Sequence, residues 1–388
     1  MAEKLTRLEQ TITSETIFDL ANWLTQNQSY TSNQLEKLQD EKFYLPLISL
    51  ANNFWLIGAL THQLKEKRVW SLLPKALTRY LIEIDNVYLE RSQAIYQEAI
   101  FCCKTLKNAQ IDVVMLKGIA GLFNGSYKNV SERFMVDIDL LVKENQLQES
   151  IILLKRTGYA EQEEEFDIHA VEHHHAPPLI RNNGCCFIEL HRSGLKKPIS
   201  GVLSTEETWQ DSFPLTLNDN LQVLQLSPTH QFILAIAHSE LSNKHFDYKT
   251  FDLRQIHNIY IIASYFYQEI HWDKVQEHFA RDKKSHMLNS MLVSIHQLFN
   301  FSTPITSIND EHAIKHFTVI IKNYLATQGR MTVFSRILRI LHGYRKESIL
   351  HYYGRNGFCA VGFGRFKHFK RHCKMLYKTI FKPPEKNR

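Results

Sequence analysis

The segment FMVDIDLLV, residues 134–142, constrains the fold more than any other part of the chain. Side chains alternate across a β-strand, so Asp137 and Asp139 project from one face while Val136, Ile138 and Leu140 project from the other. A strand that is apolar on one side and acidic on the other belongs to a sheet packed against a core. Two carboxylates this close repel and raise each other's pKa unless a cation stands between them. Mg²⁺ favours carboxylate oxygen and often shares its coordination shell with substrate phosphates. A solvent-facing polar edge gives the same pattern, so the pair needs support from its surroundings.

Those surroundings are ordered. Residues 1–105 read as a helical region, with apolar side chains at three- and four-residue spacings through NFWLIGALTHQLKE and LIEIDNVYLERSQAIYQEAIFCCKTL. At Ile111 the pattern changes to IDVVMLKG, a short buried strand closed by a glycine. A short helical segment (IAGLFNGSY), a polar stretch (KNVSER), the aspartate strand, an amphipathic helix and the strand CCFIELHRSG follow. Gly158 stands where that helix needs a C-terminal cap, and residues 111–194 read as a β-α-β-α-β-β type unit. From Thr205 the reading returns to helix, with Ser227-Pro228 and Asp252 as start signals. The expected fold is therefore α+β: a small mixed-sheet core at 106–204, flanked by helical regions at 1–105 and 205–329. The second helical region is expected to complete a cleft, and residues 330–388 form a basic end.

Three residues strengthen the metal reading. Gly118 ends the first strand and opens a helical segment whose free N–H groups can approach phosphate. Lys117 beside it adds positive charge, and Glu189 in FIELH supplies a third carboxylate if its strand neighbours the aspartate strand. The order MLKG, Tyr127, Arg133, DIDLLV, a helix ending in GY, and IELH resembles the uncharacterised nucleotidyltransferase family of the polymerase-β-like superfamily. The resemblance runs from about Leu45 to Phe279 and includes PTHQFILAIAHSEL. It implies a nucleotidyltransferase core, Mg²⁺ held by Asp137, Asp139 and Glu189, and an NTP donor contacted by Lys117, Gly118 and Arg133. It further implies attack of an acceptor hydroxyl on the α-phosphate with release of pyrophosphate, the acceptor being a small molecule, peptide or protein. The chain departs from the superfamily pattern in having Ile119 where a serine follows the glycine. Gly125-Ser126, whose serine is eleven residues before Asp137, fits the usual spacing but not the usual place at a strand end.

His169, Glu172 and His173 match H-x-x-E-H, a zinc-protease pattern that needs a helix, yet Pro177-Pro178 follow within a turn. His173 and His175 read instead as substrate-contact candidates near the site, and His191 and His238 as structural histidines. The cysteines lack C-x-x-C spacing and read as free buried thiols. The longest apolar stretch, Phe43 to Leu60, is broken by Pro46, Asn52 and Asn53, so no transmembrane segment is expected. The N-terminus MAEKLTRLEQ carries both charge signs and no apolar run, so the expected compartment is the cytoplasm. Net charge is +6, but residues 330–388 hold fifteen Lys or Arg against two acidic side chains. This end, with RFKHFKRHCKMLYKTIFK, suits RNA or an anionic membrane surface. RNA-directed transfer and a catalytically degenerate nucleotide-binding module are the rival readings.

Overall fold

Among the described residues, five α-helices precede the first strand: α1 (Ser14–Leu24), α2 (Ser32–Gln39), α3 (Glu41–Asn53), α4 (Ile57–Glu66) and α5 (Lys75–Asn108). The computed structural model describes residues 12–26, 29–161, 174–182, 184–196, 199–217, 221–305 and 308–327. Thr13 and Thr31 close α1 and α2 with capping boxes, each side chain accepting from the third backbone N–H. Pro46 lies inside α3, where the apolar stretch of the sequence turns at Phe54. No helix among the described residues is long and apolar enough to cross a membrane.

The sheet has seven strands: β1 (Val114–Met115), β2 (Asp137–Leu141), β3 (Tyr159–Glu161), β4 (Leu179–Arg181), β5 (Phe187–His191), β6 (Ser212–Thr216) and β7 (Gln222–Leu226). Their order is β3-β4-β5-β2-β1-β7-β6. β2 runs parallel to β5 and antiparallel to β1, while β1 runs parallel to β7, so the sheet is mixed. Among the described residues, three α-helices lie between strands: α6 (Lys117–Phe123), α7 (Leu147–Arg156) and α8 (Thr205–Gln210). Gly158 adopts φ +96°, the left-handed turn that ends α7.

The sequence reading returned to helix at Thr205, but β6 and β7 form a hairpin there and extend the same sheet. Pro214 obscures β6 as a strand. It is tolerated because β6 lies at the sheet edge, where a missing N–H breaks no inner ladder.

Six helices complete the described chain: α9 (Pro228–Ala237), α10 (His245–Tyr248), α11 (Leu253–Tyr265), α12 (Trp272–Arg281), α13 (Ser285–Phe299) and α14 (Glu311–Thr327). The expected start signals are present. Ser227 accepts from the His230 N–H, and Asp252 accepts from the Gln255 N–H, both at 3.2 Å. Ile138, Leu140 and Val142 face one core, shared with Ile95, Leu106 and Leu154 of α5 and α7. A second core joins the N-terminal helices directly to the C-terminal ones, from Leu20 and Leu24 to Phe317 and Tyr324. The described parts of the two helical regions thus share one core beside the sheet. Cys102, Cys103 and Cys186 are buried, Cys185 is half-buried, and all four are free thiols. Burial pushes the Cys102 thiol up to about 12, which suits packing rather than reactivity.

Candidate active site

The alternation along β2 and the register of β5 build the site. Asp139 lies directly opposite Glu189, and Leu141 opposite His191, on parallel neighbouring strands. Partners in a ladder point to the same face, so Asp139, Glu189 and His191 converge. Their ligand atoms all lie within 4.8 Å of one another. Asp137 is outside this cluster, one step along β2, and lines an adjoining cavity of about 250 Å³.

Asp139 is the hub. Its Oδ1 accepts from Lys117 Nζ at 2.5 Å and from His191 Nε2 at 2.8 Å. His191 Nε2 also stands 3.4 Å from Glu189 Oε2. Burial opposes the Asp139 charge, but Lys117 and His191 outweigh it and hold the carboxyl well below the usual range. Glu189 follows the same balance, with burial overcome by the His191 hydrogen bond. For His191, burial and Lys117 disfavour the proton, yet the two carboxylates hold its pKa above the ordinary value. Asp137 has no such direct partner: burial first, and the Asp139 charge second, raise it to about 6.

Two helices supply the far wall of the cavity. Gln231, Leu234, Ala235 and His238 form one stripe on and just beyond α9, and Arg254, Asn258 and Ile262 form another on α11. A π-helical turn at His238–Ser242 follows α9 and brings Asn243 to the same cavity. Burial and Lys117 lower the His238 pKa to about 3, keeping the ring neutral. Tyr127, singled out in the sequence, fixes this wall by donating to Asn258 Oδ1 at 2.8 Å.

Lys117, Gly118, Arg133, Asp137 and Asp139 all line the cavity, as the sequence order suggested they would meet. Lys117 has φ +51°, which is uncommon for a side chain of this size. Gly118 packs closely against Met135, since a Cβ there would lie 2.5 Å from Sδ and the methionine side chain would have to shift. Gly125 and Ser126 lie elsewhere: the buried Ser126 hydroxyl donates to the Gly121 carbonyl. His175 reaches the cluster, its ring centroid 5.3 Å from that of His191, and its Nδ1 donates to the Ala176 carbonyl at 2.8 Å. His173, with His169 and Glu172, lies outside the described residues, as does the basic end at 330–388.

Sequence reasoning missed His191 as a member of the site, along with Trp55 and Arg254. The signal for His191 was present, because the two-residue spacing that joins Asp137 to Asp139 also joins Glu189 to His191. Arg254 lay on the polar face of a helix read only for its apolar stripe.

The cluster suits a divalent cation. One buried carboxylate oxygen accepts from both Lys117 and His191, and a second carboxylate, Glu189, stands beside it. The oxygens are chemistry for Mg²⁺ or Mn²⁺, while an imidazole in the set widens the range toward Mn²⁺ and Zn²⁺. No curated protein and no solved structure matches the chain. A family model described as uncharacterised nucleotidyltransferase matches residues 42–300, well over half of the sequence. The chain therefore belongs to the uncharacterised nucleotidyltransferase family, and is an enzyme of the nucleotidyl-transferring type.

Proposed function

We propose that the chain moves a nucleoside monophosphate from an NTP to a hydroxyl of its acceptor, releasing pyrophosphate, with Mg²⁺ held at the acidic cluster. The observation that carries this reading is the facing pair Asp139 and Glu189 beside a cavity lined by Lys117, Arg133 and Asp137. Asp137, Asp139 and Glu189 are the metal-holding carboxylates. Bound there, the ion neutralises charge on the phosphates and lowers the pKa of the attacking hydroxyl.

The remaining work falls to the chain's own groups. Lys117 is held charged by the carboxylates around it, and its Nζ would serve the phosphates of the donor where Asp139 holds the ion. Gly118 offers its backbone N–H at the start of α6, and Arg133 adds a cation from the loop before β2. Glu189 takes the acceptor proton or remains a ligand. His173 and His175 contact substrate from the segment before β4. The working compartment is the cytoplasm.

A second reading is RNA-directed transfer, favoured by the fifteen basic residues of 330–388. The deciding experiment is calorimetric titration of ATP, GTP, CTP and UTP in Mg²⁺, comparing the native chain with Asp137→Ala/Asp139→Ala. It is followed by incubation with α-labelled NTP and candidate acceptors, RNA included. Metal-dependent binding that the double variant abolishes is expected. Nucleotide binding without transfer to any acceptor tested would favour the degenerate module instead, and absence of binding with acceptor present would overturn the nucleotidyl-transfer reading.

A further inference from the structure

The cavity holds three cations, and they are not equivalent. Lys117 is paired with Asp139. Arg133 and Arg254 line the same cavity, yet neither makes an ion pair among the described residues. Arg133 Nε is buried without a hydrogen-bond partner. Burial, and then repulsion from Arg133, pull the Arg254 pKa down, so each guanidinium feels the other's charge. Asp137 lies within electrostatic reach of both guanidiniums but forms an ion pair with neither, so one shared carboxylate stands against two half-buried cations, a deficit that an anionic ligand recovers.

Arg254 is nonetheless held in place. Its guanidinium carbon sits 4.6 Å from the centre of the Trp55 ring, and Trp55 in turn packs 5.0 Å from Phe134. Such a stack orients a guanidinium while leaving its N–H edge for hydrogen bonds. Trp55 itself is 39% exposed and carries φ +54°. Arg133 approaches from the loop before β2 and Arg254 from the first turn of α11, so the pair joins two separate elements across one cavity.

We propose that Arg133 and Arg254 form an anion clamp that grips the terminal diphosphate of the donor, and the pyrophosphate product, without needing a metal ion. This rests on the nucleotidyl-transfer reading for the donor's identity, but the clamp's affinity for pyrophosphate does not. Two planar guanidinium forks match a group bearing two or more negative charges and several acceptor oxygens. A single carboxylate would leave one of them uncompensated.

The test is calorimetric titration of inorganic pyrophosphate into the full chain in EDTA, with acetate as the single-charge comparison. The native chain is expected to bind pyrophosphate and not acetate. Arg254→Gln is expected to weaken it about 10- to 100-fold, and Arg254→Lys less, because the charge remains. Arg133→Gln provides an independent arm should Arg254→Gln fail to fold by circular dichroism. Absence of pyrophosphate binding, or native affinity in both Gln variants, overturns the clamp. Pyrophosphate binding without any NTP binding would overturn the nucleotidyl-transfer reading and leave the clamp standing. Metal-dependent NTP binding with no pyrophosphate site would do the reverse.

Discussion

Glu132 offers a direct test of how the loop that carries Arg133 is built. The side chain is only 4% exposed, and its Oε1 accepts from the Asn129 N–H at 2.7 Å, closing a single 3₁₀ turn. Burial lifts its carboxyl from 4.5 to about 7, and the Asn129 hydrogen bond and Lys128 recover only part of that shift. His62 lies 3.7 Å away, but burial lowers its own pKa, so it brings no compensating charge at neutral pH. The folded value exceeds the unfolded one, so the folded state binds the proton more tightly. The cost of ionised Glu132 therefore begins as pH rises past about 4.5 and is complete above about 7. At 1.36 kcal/mol per unit this amounts to about 3 kcal/mol at pH 8 and less than about 1 kcal/mol at pH 5. Glu132→Gln keeps the acceptor for Asn129 and removes the ionisation. It is expected to stabilise the chain by about those amounts, read by urea unfolding at the two pH values. A gain that is equal at both, or a loss at pH 8, would refute the reasoning.

Gly58 of α4 abuts the same turn, and a Cβ there would lie 1.9 Å from the Ser131 carbonyl oxygen. Gly58→Ala is expected to cost about 1–3 kcal/mol in denaturant unfolding and to lower nucleotide affinity by moving Arg133; unaltered stability would count against this packing. His191→Leu removes the donor shared by Asp139 and Glu189, and Mn²⁺ affinity is expected to fall about 10- to 100-fold by calorimetry. Unchanged affinity would show that the ion sits away from the cluster. Arg281 forks onto Glu207 at 2.5 and 2.7 Å and holds its carboxyl down to about 2. Both side chains are partly exposed, so Arg281→Gln is expected to cost at most about 1 kcal/mol at neutral pH. That difference should close as pH falls from about 4.5 to about 2, since a depressed carboxyl stabilises only while it is ionised; a gap unchanged at pH 2 would exclude the pair as its cause.

Much of the core was legible because its signals are local. Alternation along FMVDIDLLV assigned opposite faces to Asp139 and Ile138, and the structure buries Ile138 in the core while turning Asp139 to Lys117 and His191. Side-chain oxygens at Ser227 and Asp252 announced two helices. What stayed hidden depends on pairing between distant segments. No local pattern makes β5 the parallel neighbour of β2, fifty residues earlier, and without that register Glu189 and His191 are only residues on a strand. The hairpin β6–β7 was masked by Pro214, whose cost disappears only once the strand is known to be an edge. Arg254 was hidden differently. A helix with one apolar face suggests that its other face meets solvent, but on α11 that face meets a cavity.

The arrangement of charge and strain in that cavity has a common logic. Asp139 is hydrogen-bonded by Lys117 and His191, whereas Arg133 and Arg254 make no ion pair among the described residues and share only the electrostatic reach of Asp137. On the proposed metal reading, a divalent ion at the carboxylates would compete with Lys117 for Asp139 and leave the cavity more positive. Each such step raises the affinity for a polyanion and lowers it for a neutral or cationic ligand. Trp55 and Lys117 stand on opposite margins of this balance, one stacking Arg254 and the other bonding Asp139, and both hold left-handed backbone conformations that bulky side chains seldom adopt. Relaxing either would move a cation away from the cavity. On the clamp proposal, the backbone conformation of Trp55 is part of what aims Arg254 at its anion.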